Sequence, residues 1–425
     1  MKDQFVCTDA SMGFNTTFAL GFLFTAVFLL VEHRRNAPFT WQTSSQLSLA
    51  DLRRHWFHGS PRRRMAFVLL LVGWVIVMPF PPLRGGFLLR EHGYAMLAWL
   101  AWETCSIVWS EHRLVSVRSM VPWIITAGVG FASGSELRVK GCAIVIAFVY
   151  SAFLLIGVLN ECLIGFGNND ATGYRFAGTL HPNSQGQNAA LLSMSCTYLG
   201  LTGIPSGIAI ICVIVSVGAL GLTRSRTAFW AAGFAAVIWA AIIPSDSGRV
   251  WPLALTGTIA LTGLVAISEE RLKSRARGGS TSTLAAVVSL GRTNSQARTL
   301  NSRTQIWRLI LSDLGRHWVF GVGFCAFWDI PRIERIRAAL PFTAWVCHSD
   351  YLEILARSGV IGSTLFVATL LLSMFVAFGL HAPSGYFVFS MFVFIAIEGF
   401  LESSFSWPGS ASLFMFLLCG ALAVA

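Results

Sequence analysis

Apolar runs of nearly membrane-spanning length follow one another along this chain, and a single ninety-residue polar stretch, Glu269 to Ser358, interrupts them. A span needs about 20 apolar residues. Runs near that length lie at 14–31, 66–83, 93–110, 119–135, 141–160, 186–204, 206–222, 227–244, 251–268, 359–379, 385–402 and 409–425. The pattern predicts an all-α, polytopic membrane protein of about twelve transmembrane helices with one large, partly helical loop. Its expected division is an N-terminal membrane part over 1–268 (about nine spans), the loop over 269–358, and a C-terminal membrane part over 359–425 (about three spans). A soluble fold is the poorer alternative: charged residues make up 12% of the chain, where a soluble domain carries about 25%. The first run follows Lys2, Asp3 and Asp9 without a small-residue cleavage site, so it reads as a span and not as a cleaved leader.

The net charge of +11 is confined to two places. Segment 32–65 holds seven Arg against two acids, and segment 269–358 holds thirteen Lys and Arg against seven acids. Basic clusters beside a bilayer attract anionic headgroups or phosphate-bearing substrates. They also accumulate in cytoplasmic loops for reasons of topology alone. With twelve spans both segments follow odd-numbered spans and share one side. If the Arg-rich 32–65 obeys the positive-inside rule, the large loop is cytoplasmic. If the loop is external, 32–65 breaks the rule or the count is off by one between Pro61 and Gly141.

The nine cysteines are scattered, with no CxxC and no metal-ligand spacing. Cys325 and Cys347 share the polar stretch and could pair if it faced an oxidising space, although nothing in their spacing requires it. Neither a Walker loop nor a GxGxxG is present, and Gly321-Val322-Gly323 reads as a turn. Residues 278–283 read as a flexible linker. Over 303–318, Ile306, Trp307, Ile310, Leu311 and Leu314 fall on one face of a helix. Such a helix suits the membrane surface. Gly321 and Gly323 are expected to end it. A further helical stretch, Asp350 to Arg357, leads into the span that opens at Gly359, so His348 sits at a helix start near the membrane plane.

Four short stretches share one side under this count: His181-Pro182-Asn183 with Gly186; Ser225-Arg226-Thr227; Ser302-Arg303-Thr304-Gln305-Ile306-Trp307; and His348-Ser349-Asp350-Tyr351-Leu352 with Gly359 and Gly362. Together with Trp109-Ser110 and Glu402-Ser403, and in this order, they resemble the O-antigen ligase and polysaccharide polymerase superfamily, especially its exopolysaccharide polymerase-like branch. The resemblance runs from about Trp109 to the C-terminus. Two positions depart from it: Ser302 stands where a Gly is usual, and Ser349 where an Asn is usual.

The resemblance implies a GT-C-like membrane glycosyltransferase. Such an enzyme transfers an oligosaccharide from a polyprenyl diphosphate to an acceptor hydroxyl, at the outer face of a bacterial inner membrane. Its functional core of two arginines and one histidine matches Arg226, Arg303 and His348. Arginine offers a permanently charged, planar donor fork to a leaving diphosphate, an electrostatic role that needs no metal. A neutral imidazole suits the acceptor's proton. No cofactor and no metal are expected. The implied partners are the lipid-linked oligosaccharide, a glycan acceptor, membrane lipids and a chain-length regulator protein, with no nucleic acid.

Arg224, His181, Asn183, Asp350, Tyr351 and Glu402 are the further candidates for substrate binding. Each has a plainer role. Arg226 suits an interfacial anchor, Arg303 a solvated helix face, and His348 a helix cap. His181 and Asn183 suit a turn before the sixth run, Asp350 a helix first turn, and Tyr351 an interfacial aromatic. Glu103, Glu398 and Glu402 lie in or at apolar runs, where an ionisable group is costly. Two readings compete with the enzyme. A transporter of a lipid-linked anion would place its polar groups at the bilayer midplane in broken helices. A scaffold whose basic loop binds a partner protein would not need both arginines and the histidine.

Overall fold

The computed structural model describes residues 14–32, 60–78, 90–164, 169–170, 173–244, 250–276, 299–340, 346–380 and 383–425. The expected linker 278–283 lies outside the described residues. The helices in chain order are α1 (Phe14–Glu32), α2 (Pro61–Val77), α3 (Glu91–Cys105), α4 (Arg113–Ile164), α5 (Pro182–Leu201), α6 (Ser206–Thr223), α7 (Arg226–Ile242), α8 (Val250–Ala276), α9 (Thr299–Leu314), α10 (Ile330–Ala339), α11 (Asp350–Gly379), α12 (Pro383–Leu401) and α13 (Ser410–Ala423). A two-residue antiparallel ladder, Asn169–Asp170 with Gly173–Tyr174, lies between α4 and α5.

Each expected apolar run falls on helix over most of its length. Among the described residues, five stretches are long and apolar enough to cross a membrane: Asn15–Glu32, Arg113–Leu163, Ser206–Thr223, Asp350–Gly379 and Pro383–Leu401. Arg226–Ile242, Val250–Gly263 and Ser410–Ala423 are shorter apolar helices. The two runs expected at 119–135 and 141–160 are the arms of α4, which breaks at Arg138 (φ 54, ψ −177).

Two helices form the centre. Every residue of α13 is buried, and α5 is buried on all sides along most of its length. A helix apolar or buried all round belongs inside a bundle. α13 lies along α4 in the most extensive helix contact. Small residues permit it: a Cβ on Gly134 would stand 1.9 Å from the Leu417 carbonyl oxygen, and one on Gly420 2.0 Å from that of Phe131. Outer helices turn aliphatic faces outward, as with Val68, Val72, Val75 and Ile76 of α2 and Ile208, Ile211, Ile214 and Val215 of α6. A lipid environment makes such a surface stable, because hydrocarbon tails cover it at no cost in hydration.

The polar stretch folds on a smaller core of its own. Ile306, Ile310 and Leu314 of α9 pack with Val322, Phe327, Trp328, Ile333, Ile336 and Cys347, and Trp307 and Leu311 lie against them. The apolar face expected at the membrane surface is therefore covered by protein. α9 stops at Leu314, and a 3₁₀ turn over Gly315–His317 follows before Gly321 and Gly323 are reached. α10 begins at an Asp329 cap, whose Oδ1 accepts from Arg332 N at 2.8 Å. α8 continues past the expected boundary at 268, to Ala276. Cys325 and Cys347 are free thiols, so the conditional pairing is not made. Their surroundings differ, since Cys325 packs in the main core and Cys347 in the smaller one.

Candidate functional site

Residues one helical turn apart share a face, and the spacing of Arg303 and Trp307 uses this rule. Arg303 reaches the end of α12: it donates to the Leu401 carbonyl, and its Nη2 lies 2.5 Å from Glu402 Oε1. Trp307 Nε1 donates to the Cys347 carbonyl at 2.9 Å. One face of α9 thus holds both the residue before His348 and the turn after α12.

His348 occupies the left-handed region, with φ 50. Non-glycine residues rarely adopt it, and they persist there only where the surroundings fix the backbone. Here both sides are fixed. Cys347 N donates to Glu353 Oε2 at 2.9 Å, and Glu353 Oε1 accepts from Trp328 Nε1 at 2.9 Å. On the other side Ser349 N donates to Ser403 Oγ at 2.9 Å, and Asp350 N to the Glu402 carbonyl at 3.1 Å. His348 Nδ1 then stands 3.7 Å from Glu402 Oε2, in ion-pair range but beyond a hydrogen bond.

Glu402 also accepts from Asn183 Nδ2 at 2.7 Å. Asn183 Oδ1 accepts from Arg175 Nη2 at 2.9 Å, and Arg175 Nε donates to the Thr223 carbonyl at 3.0 Å. This chain of contacts reaches the turn between α6 and α7. That turn carries Arg224 in the left-handed region (φ 51) and Arg226 at the start of α7. Arg226 lies within reach of the Arg303 charge. His181 caps α5, its Nδ1 accepting from Asn183 N at 3.2 Å beside Pro182 at the first helical position.

Burial alone would raise the Glu402 carboxyl. The Arg303 charge, aided by His348 and His181, overcomes burial and holds it well below the usual carboxylate range. Glu402 is therefore an anion at neutral pH, with a guanidinium and an imidazole against it.

The structure brings Arg303, His348, Glu402 and Asn183 together, with Arg226 in the field of Arg303. Asp350 and Tyr351 face other partners. The Asp350 carboxyl accepts from Phe405 N at 3.1 Å and Ser406 N at 2.8 Å, and so holds the turn that follows Glu402. Tyr351 Oη donates to the Ala396 carbonyl at 3.0 Å, joining α11 to α12.

Arg175 and Glu353 escaped the sequence reading, and Ser403 entered it only as part of the Glu402-Ser403 stretch. A second polar cluster also escaped it. Ligand atoms of Glu111, His112 and Asp329 lie within 4.8 Å of one another. Arg332 bridges the carboxylates, 2.8 Å from Glu111 and 3.2 Å from Asp329. Its guanidinium partly neutralises both carboxylates.

A comparison with curated proteins finds no match. Residues 211–367, which carry Arg226, Arg303 and His348, match the family model described as O-antigen ligase. That match places this stretch in the O-antigen ligase and polysaccharide polymerase superfamily and implies a glycosyltransferase-type enzyme.

Proposed function

We propose that the chain transfers an oligosaccharide from a polyprenyl diphosphate to a glycan hydroxyl, extending a surface or exopolysaccharide one repeat unit at a time. The observation that carries this reading is the convergence on Glu402 of Arg303 and His348, with Arg226 in the same electrostatic field. Glu402 acts as the fixed anion behind the reacting groups. It orients the Arg303 fork and stabilises the imidazolium that forms at His348, as a buried carboxylate does in a catalytic triad.

In the reaction His348 Nε2 takes the proton of the acceptor hydroxyl. The freed oxygen attacks the anomeric carbon as its bond to the diphosphate oxygen breaks, with inversion. Arg226 and Arg303 stabilise the charge that gathers on the leaving diphosphate. The protein uses about twelve spans in a GT-C-like arrangement, with the large loop on the outer side of a bacterial inner membrane. Arg224 supplements the arginine pair at the diphosphate. His181 and Asn183 hold the edge of the site, and a chain-length regulator protein is a further partner.

The test is incubation of the purified protein with polyprenyl-diphosphate-linked repeat units in EDTA, with products resolved by size and anomeric configuration. A ladder of longer glycans with inverted linkages is expected. His348→Ala should slow transfer by about 10²–10⁴-fold, and Arg226→Ala or Arg303→Ala by about 10²–10³-fold. Full activity in all three variants, or retained anomers, would overturn the mechanism. Transfer only to an added lipid-core or protein acceptor would make the enzyme a ligase, as the description of the matching family words it.

A further inference from the structure

The first half of α5 is polar yet buried. Gln185, Gln187 and Asn188 follow Asn183 along it, at 0%, 3% and 4% exposure. α12 packs against α5 and carries one acid inside its apolar run, Glu398, at 1% exposure.

Two contacts set the register of this helix pair. Asn183 Nδ2 donates to Glu402 Oε1 at 2.7 Å near one end. Tyr198 stacks on Phe387 at the other, with ring centroids 4.4 Å apart and planes 14° from parallel. The helices therefore run antiparallel, and the same number of residues separates the two contacts on each. Moving four residues inward from Asn183 and from Glu402 reaches Gln187 and Glu398. Each lies about one turn further in and on the same face. Gln187 thus stands opposite Glu398.

Each carries a buried polar atom with no hydrogen-bond partner among the described residues: Gln187 Nε2, a donor, and Glu398 Oε2, an acceptor. Buried polar atoms are almost always paired. By this register a donor and an acceptor lie on facing sides of the helix pair, and neither is hydrogen-bonded to the other. Any guest that satisfies both must accept from an amide N–H and donate to a carboxylate. A metal cation cannot accept, and an anion without a proton has nothing to donate to Glu398 Oε2. A hydroxyl does both.

We propose that Gln187 and Glu398 form a buried hydroxyl-binding rung beneath the Asn183–Glu402 contact, filled by one hydroxyl group. Two molecules offer that chemistry: a water, and the sugar of the glycan acceptor. The sugar arm rests on the transfer reading above, and the water arm does not. Either guest ties α5 to α12 directly below Glu402 and so steadies the anion on which Arg303 and His348 converge.

The test is a density map of the wild-type protein at a resolution that shows ordered water, recorded without and with a soluble oligosaccharide of the acceptor repeat. It is joined to acceptor kinetics of Gln187→Leu. A peak bridging the two atoms in the glycan-free protein, with acceptor KM unchanged in the variant, supports the rung with water as guest. A peak seen only with glycan, with acceptor KM raised about tenfold and kcat retained, supports it with a sugar hydroxyl. An empty gap in both maps, or a direct Gln187–Glu398 hydrogen bond, overturns it. The maps need no turnover, so an inactive wild-type protein would count against the transfer reading and leave this one standing.

Discussion

Glu103 and Arg357 form an ion pair sealed inside the helices, at 0% and 2% exposure. Arg357 Nε donates to Glu103 Oε1 at 3.0 Å and stands 2.9 Å from Oε2. The same Oε1 accepts from Trp99 Nε1 at 3.1 Å and Ser358 Oγ at 3.0 Å. The guanidinium lies over the rings of Trp123 and Phe324, 5.3 and 4.8 Å from their centroids, and donates to the Ser406 carbonyl. Ser406 N is held in turn by Asp350. The pair therefore anchors the turn that follows Glu402. Glu103→Leu strands a buried guanidinium and removes the acceptor of three donors, so it should cost about 3–5 kcal/mol. Arg357→Met strands the carboxylate and should cost a similar amount. The double variant leaves no buried charge, and apolar replacements of a buried pair are commonly neutral or stabilising. It should recover at least about 2 kcal/mol relative to either single change, a coupling that a double-mutant cycle isolates. Unfolding of the four proteins in one detergent measures this. Glycan transfer by the double variant should stay low, because the contact to Ser406 is gone. Single changes costing less than about 1 kcal/mol, or costs that simply add, would refute the reasoning. Wild-type transfer by the double variant would refute the anchoring role.

Three further outcomes follow from the geometry. Trp307→Phe keeps the packing but removes the donor to the Cys347 carbonyl; it should cost about 1 kcal/mol and lower kcat more than donor KM, and an unchanged kcat would show that His348 needs no such support. Gly134→Ala puts a Cβ 1.9 Å from the Leu417 carbonyl oxygen; α4 and α13 must separate, at a cost of about 1–3 kcal/mol, and an unshifted melting temperature would contradict the close approach. The third concerns pH. Glu402 has a folded-state carboxyl below its ordinary value of 4.5, so its contribution is fully present above that value and is lost as pH falls from there through the depressed one. Melting temperatures of wild type and Glu402→Gln should differ above pH 4.5 and converge below it, whereas a gap that widens on acidification would reverse the sign.

Periodicity and composition made the helices legible, because local spacing alone decides whether a segment presents an apolar face. The start of a span at Gly359 was legible for the same reason, although the bend the structure makes at that residue, with φ 70, was not. The face formed by Ile306, Ile310 and Leu314 was legible too. What covers that face was not legible, since an apolar stripe reads alike toward lipid and toward a protein core. Arg226, Arg303 and His348 stood out through ordered motifs, but no spacing rule joins residues so far apart in the chain. Their meeting depends on how α9 and the turn after α12 pack around Glu402. Asp350 shows the limit most clearly. Its place at a helix start suited either a helix first turn or a substrate-binding group, and the tertiary structure gives its carboxyl to Phe405 and Ser406. The sequence determined which segments are helical and which residue types are available for chemistry, because those follow from local backbone and side-chain properties. Tertiary structure alone decided which buried polar groups partner one another, because in a low-dielectric interior each must find a specific donor or acceptor, whatever its distance along the chain.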